Sequence, residues 1–393
     1  MRHIVARLVL PLVLATSACE NSGLVPRDAS ASSTSGPGSG ATTSSTGEGG
    51  FGSVGGSGGA GGASSSVGGA GGAGGAGGAG GECEPTEEEG GPMAMPYPFT
   101  LGGQQAWSHD EGFASGYFHT YDALAVGGAA PRKVHVFLPR SYPESCARYP
   151  VVYMNDGDTT FWPGSVGKTW DVAERLAELY AAGGLPEVMV VAVHPLNRDE
   201  EYTHAAFAPN RACCEADGYA DYLGDQVKGF IDAQYRTRPE REATAIVGSS
   251  HGGLGAFLVA TMRPDRFGMA GCLSPSFWAG LDPVHGGAYP GGALATSALL
   301  DLARPTLESA ALRPKLWIDW GLVRTGGFHN SGIEAAATTR GQEMVSLLEA
   351  SFGYGATTLG WAEDPAGEHD EISWSRRFPD VMQFFYGNTP STP

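Results

Sequence analysis

Residues 248–252 read Gly-Ser-Ser-His-Gly. A serine with glycines two before and two after it fits a turn too tight for side chains at the flanking positions. Such a turn pushes the central hydroxyl outward. The hydroxyl becomes a nucleophile once a base takes its proton. Ser250 is the centre of the pattern, and Ser249 is the residue beneath it. The spacing alone is weak evidence, because a chain rich in glycine meets it by chance. Gly55-Gly56-Ser57-Gly58-Gly59 also fits. The surroundings separate the two. Apolar EATAIVGS (residues 242–249) leads into Ser250, and helical GGLGAFLVATMR follows it, whereas Ser57 lies in a run without periodicity.

Four of the ten histidines follow Ser250 in the chain: His251, His285, His329 and His369. His251 is too close in sequence to swing onto Ser250. His285 lies in LDPVHGGAYPGG, a loop with no strand before it, and His329 lies in RTGGFHNSG. His369 follows ATTLGWAEDPAGE, which reads as a strand and turn, and precedes a terminal helical segment. It is the expected general base.

The elements that must position these groups follow from periodicity. RKVHVFLP (132–139) alternates apolar and polar, as a half-buried strand does. The runs at 149–156, 187–195, 242–249, 268–274 and 315–321 are short and almost wholly apolar, which fits strands buried on both faces. Helical patterns lie between them, at 167–184, 219–235, 252–263 and 333–353, with a last one near SWSRRFPDVMQFFYG. Strands alternating with helices imply a mostly parallel sheet with helices on both faces. Sites in such sheets lie at the carboxyl ends of the strands.

Several separated segments, in order, resemble the putative-esterase branch of the α/β-hydrolases, which includes enterochelin and feruloyl esterases and S-formylglutathione hydrolase. They are VVYMNDGDTTFW, VVAVHPLNRDEEYTH, YRTRPEREATAIVGSSHGGLGAF, RPDRFGMAGCLSPSFW and GEHDEISWSRRFPDVMQFFYG. The resemblance spans residues 133–387 and implies an α/β-hydrolase fold with Ser250 as nucleophile and His369, last in chain order, as base. It also implies an oxyanion hole made by the backbone N–H of His251 and of Asp158, with Gly157 as an alternative to Asp158. The family usually has Met where this chain has His251. The acid is where the pattern departs. The family motif Asp-x-Gly-x-x-(Asp/Glu) meets IDWGLVR here, so Arg324 stands at the carboxylate position. Asp319, Glu334, Asp364 and Glu371 remain as alternatives, and so does a Ser–His dyad. Trp162, Tyr202, Trp278 and Trp374 are candidates to line a substrate pocket.

The N-terminus reads as an export signal over residues 1–18. Arg2 and Arg7 precede a short apolar LVLPLVLA, too short to span a bilayer. ATSAC then leads to Cys19, and residues 19–91 are mostly Gly, Ser, Ala and Thr, with almost no large apolar side chain. Such a segment cannot bury enough apolar surface to order itself, and its random-coil reach is roughly 40–50 Å. Signal, cysteine and tether together resemble a bacterial lipoprotein with Cys19 lipidated. Free secretion after cleavage at Ala18 is the alternative, and Thr16 departs from the Leu a lipobox prefers. The catalytic domain is expected over 92–393. Net charge is −18, and only three arginines and eight carboxylates precede residue 92, so the domain is acidic too. That excludes a nucleic-acid binder, which needs a basic face.

The expectation is therefore a monomeric serine ester hydrolase of the cell envelope. Its substrates would be small-molecule or polysaccharide-linked esters, it would need no metal or cofactor, and it would touch membrane only through the anchor. An acyltransferase of the same fold and a binding scaffold with impaired catalysis are the rival readings. The connectivity of the six cysteines is not readable from their spacing.

Overall fold

The computed structural model describes residues 91–387 apart from residue 165. The export signal, Cys19 and the tether expected before residue 91 lie outside the described residues. Ten strands form one sheet in the order β1-β2-β3-β4-β6-β5-β7-β8-β9-β10. They are β1 (Tyr97–Leu101), β2 (Gln104–His109), β3 (Gly116–Leu124), β4 (Arg132–Pro139), β5 (Val151–Met154), β6 (Met189–Val193), β7 (Thr244–Ser249), β8 (Met269–Leu273), β9 (Lys315–Gly321) and β10 (Leu359–Asp364). The six from β6 to β10 pair in parallel. The front, β1 to β4, is antiparallel and joins the rest through an antiparallel β4–β6 pair. The fold is that of an α/β-hydrolase. The hairpin strands β1–β3 lack a strong alternating signature, and of the four front strands the sequence predicts only β4.

Among the described residues, eight α-helices flank the sheet: α1 (Val172–Ala181), α2 (Arg198–Glu201), α3 (Ala216–Asp221), α4 (Lys228–Gln234), α5 (His251–Met262), α6 (Ala298–Glu308), α7 (Ala335–Phe352) and α8 (Glu371–Tyr386). The central strands are buried on both faces, so alternate residues feed two cores. Tyr153, Val191 and Ile246 face one core with Leu254 and Phe257 of α5 and Met344 of α7. Val152, Val190 and Val247 face the other, with Leu176 of α1 and Phe378 and Val381 of α8. α5 is apolar all round because α3 and α6 cover the side turned away from the sheet. Pro379 lies within α8 and does not end it.

Cys213 and Cys214 form a disulfide between adjacent residues, Cys146 is disulfide-bonded, and Cys272 is a buried free thiol.

Candidate active site

The carboxyl ends of the parallel strands open into one cleft of about 1010 Å³. β7 ends at Ser249, and the chain turns at once into α5 with Ser250 between them at φ 54°, ψ −122°. A non-glycine residue with positive φ is strained and persists only where its surroundings hold it. Besides the first bond of α5, from Leu254 N–H to Ser250 O, two backbone bonds hold it here. Ser250 N–H donates to Leu273 O at 2.9 Å, and Ser250 O accepts from Ser276 N–H at 3.0 Å. The flanking glycines are required by space. A Cβ on Gly248 would lie 2.4 Å from Gly252 O, and one on Gly252 would lie 2.7 Å from Asp156 Oδ2. Asn155, just after β5, ties the turn down by donating from Nδ2 to Gly252 O at 2.8 Å.

His369 stands on the loop between β10 and α8. Its Nε2 lies 2.9 Å from Ser250 Oγ. Its Nδ1 lies 2.5 Å from Glu334 Oε2, and Glu334 is fully buried. The His369 backbone is fixed as well, since its N–H donates to Asn330 Oδ1 at 2.9 Å. Glu334 closes a π-helical turn, His329–Glu334, that leads into α7. Its second oxygen, Oε1, accepts from Ser274 Oγ at 2.9 Å and from Gly321 N–H. Ser274 in turn accepts from Arg377 Nη2 at 2.9 Å and Trp374 Nε1 at 3.2 Å. A hydroxyl, an imidazole and a carboxylate thus stand in a hydrogen-bonded line. Such a line lets the imidazole take a proton from the hydroxyl while the carboxylate holds it in the required tautomer.

The carboxylate left open by the sequence is therefore Glu334 by position. Arg324 touches neither His369 nor Glu334; it donates to Gly321 O at 3.0 Å, Val323 O at 2.9 Å and Thr338 Oγ1 at 2.7 Å. Asp319 is buried beside Arg377 Nε at 3.4 Å and accepts from Trp317 Nε1. Burial pushes its pKa up to about 6. Asp364 pairs with Arg376. Glu371 lines the cleft from the first turn of α8.

His251 opens α5, so its backbone N–H is among the first-turn donors that no helix carbonyl satisfies. Asp158 lines the cleft from the turn after β5. Gly157 drops out as the alternative donor, because its N–H is spent on Val193 O at 3.0 Å. The His251 ring is buried, with Nδ1 2.8 Å from Ser276 Oγ and the ring edge-on to Phe207. Burial first, then repulsion from Arg198 and His285, holds its pKa well below the ordinary histidine range, so it is neutral.

Trp278 and Trp374 line the cleft. Trp162 and Tyr202 do not, which corrects the sequence reading. Trp162 packs against Phe118, Phe161 and His135 at the antiparallel front. Tyr202 is fully buried, and its hydroxyl accepts from Asp156 N–H at 3.0 Å, which anchors the turn that carries Asp158. Arg198 braces the same turn with a two-bond pair to Asp156 at 2.7 and 2.9 Å. Sequence reasoning did not single out Ser274, Ser276 or Asn330. Their bonds to His251, Glu334 and His369 span 25 to 60 residues of chain, and no short motif carries them.

Residues 129–383 match the family described as "Putative esterase". Among curated proteins, the uncharacterized protein YbbA of Bacillus subtilis is 28% identical over 166 residues, covering 40% of this chain and 61% of that protein. The endo-1,4-beta-xylanase/feruloyl esterase of Xylanibacter ruminicola is 28% identical over 149 residues, covering 36% of this chain and 19% of that protein. The chain thus spans less than two thirds of either relative. Among solved structures, an IroE-like serine hydrolase of Shewanella oneidensis aligns with TM-score 0.47 and 20% identity, over 65% of this chain and 76% of that one.

Proposed function

The chain belongs to the putative esterase family and is an ester hydrolase, and from that premise we propose a serine mechanism through an acyl-enzyme on Ser250. The observation that carries the reading is the line Ser250 Oγ, His369, Glu334, at 2.9 and 2.5 Å. His369 Nε2 takes the Ser250 proton as Oγ attacks the ester carbonyl carbon. The oxyanion that forms is held by the N–H groups of His251 and Asp158. The carbon–oxygen bond to the alcohol then breaks, and His369 gives its proton to the leaving oxygen. Water attacks the acyl-enzyme, His369 takes its proton, and the carboxylic acid leaves as that proton returns to Ser250. Glu334 accepts from His369 Nδ1 throughout and stabilises the imidazolium between steps. Ser250, His369 and Glu334 act through their side chains, and His251 and Asp158 through their backbone N–H groups.

Glu334 supports catalysis over the binding-scaffold reading, whose ground was the missing acid. A fluorophosphonate probe should label the protein, and short p-nitrophenyl esters should be hydrolysed. Both activities should vanish in Ser250→Ala. Labelling that persists in that variant would sink the assignment.

The cell-envelope location is proposed on the N-terminal sequence: an export signal, lipidation at Cys19 and a Gly/Ser/Ala-rich segment between Cys19 and the domain. The full chain should partition with membranes, and Cys19→Ser should release it to the soluble fraction. Equal partitioning of both forms would count against the anchor.

A further inference from the structure

A file of hydrogen-bonding side chains crosses the antiparallel front of the sheet and ends in the cleft, and the hydrolytic steps above do not use it. Glu111 Oε1 lies 2.9 Å from His109 Nδ1. His109 Nε2 lies 2.8 Å from Thr120 Oγ1, and Thr120 Oγ1 lies 2.8 Å from His135 Nδ1. His135 Nε2 lies 3.1 Å from His194 Nε2. His109 is on β2, Thr120 on β3 and His135 on β4, and His194 follows β6. These strands are neighbours in the sheet, and Thr120 and His135 are direct cross-strand partners.

The donor inventory gives the file a direction. An ionised carboxylate only accepts, so in a neutral His109 ring Nδ1 carries the proton and Nε2 is an acceptor. The single hydroxyl hydrogen of Thr120 goes to that Nε2. Thr120 must then accept from His135 Nδ1–H. Burial holds His135 neutral, with its pKa down at about 3, so it has no second N–H. Its Nε2 therefore accepts, and His194 Nε2–H donates to it. Burial lowers the His194 pKa too. The ring nitrogen left over is His194 Nδ1, without a proton, on a residue that lines the cleft. Asp158 and Asp156 act on this imidazole from the turn after β5, and Lys133 acts on it from β4.

We propose that His194 Nδ1 is a hydrogen-bond acceptor of the cleft, placed to take a hydroxyl on the part of the substrate that does not react. With the Asp158 carboxylate near it, this end of the cleft is rich in acceptors. It selects esters that carry hydroxyl groups over plain alkyl esters. The proposal rests on the ester-hydrolase reading.

Histidine-selective ¹⁵N labelling at about pH 8, above the ordinary histidine range, reads each ring's tautomer. His194 should appear with Nε2 protonated and Nδ1 bare, its signal identified by loss in His194→Gln. The opposite tautomer overturns the proposal. Glu111→Gln, at a half-exposed position, offers a side chain that can donate as well as accept. It should turn the single His194 tautomer into a mixture, and an unchanged tautomer would overturn the file as its cause. Butyrate esters of propanol, 1,2-propanediol and glycerol give the functional arm. Wild type should favour the hydroxylated esters in kcat/KM by about tenfold, the worth of one such bond. The ratio should fall to near one in His194→Leu; a ratio that stays unchanged overturns the proposal. Failure of the underlying reading looks different, since no ester would turn over and Ser250 would not label, while the tautomer measurement would still report.

Discussion

Two regions meet at His369, and they are built in opposite ways. The nucleophile turn, residues 248–252, is contiguous, and its demand is conformational. Gly248 and Gly252 face each other so closely that a Cβ on either would meet backbone or the Asp156 carboxylate. The carboxylate region is dispersed, and its demand is positional. Glu334 gathers Gly321, His369 and Ser274, which stand 13, 35 and 60 residues away in the chain. A tight turn needs particular residue types at particular spacings, so it leaves a local mark. A carboxylate needs only to arrive at the right place, and many chain paths bring it there. The family motif puts the carboxylate three residues after Gly321. This chain puts Arg324 there to bind carbonyls and delivers the carboxylate ten residues later, through a π-helical turn.

The comparison can be broken or sharpened by experiment. The two regions should act as one unit through the shared imidazole. His369→Ala should lower kcat by about 10⁵–10⁶, and adding Ser250→Ala should lower it no further, since groups acting together are not additive. Additive losses in the double variant, measured with a p-nitrophenyl ester, would separate the regions. The conformational demand should appear as stability. Gly248→Ala should cost about 3 kcal/mol in urea denaturation, as overpacking against backbone does. A loss under about 0.5 kcal/mol would show that the turn has room to yield. The smallest effect concerns His251, which the nucleophile turn buries neutral. Its folded pKa is depressed, so as pH falls below about 6.5 the unfolded chain takes up a proton that the folded chain refuses. Stability is lost on that side. His251→Met should recover about 2 kcal/mol of the loss between about pH 6.5 and 5. Parallel stability profiles for the two proteins would contradict the burial argument.

The same contrast explains what the sequence discloses. The apolar runs before Ser250 and around residues 151–154, 189–193, 269–273 and 315–321 are strands because they are buried on both faces, and burial leaves a composition that can be read. Ser250 and His369 follow from the turn and from chain order, and the structure brings them to 2.9 Å. The front hairpins β1–β3 are less legible. β2 has one exposed face with Trp107 on it, and β3 holds His119 and Thr120 in its interior, so neither alternates cleanly. Tyr202 and Trp162 look like pocket residues by type, yet they pack the supports of the cleft, because an aromatic ring reads the same in a core as on a wall. Glu334 was one carboxylate among four, and only the path of the chain after β9 distinguishes it.

The central claim is that Glu334 activates Ser250 through His369. The rate at which a fluorophosphonate probe modifies Ser250 tests it without knowledge of the substrate. Glu334→Gln keeps the shape and removes the charge, so the rate should fall by about 10³–10⁴ while peptide mapping still finds the adduct on Ser250. Labelling of Ser250 at the wild-type rate in Glu334→Gln would contradict the account.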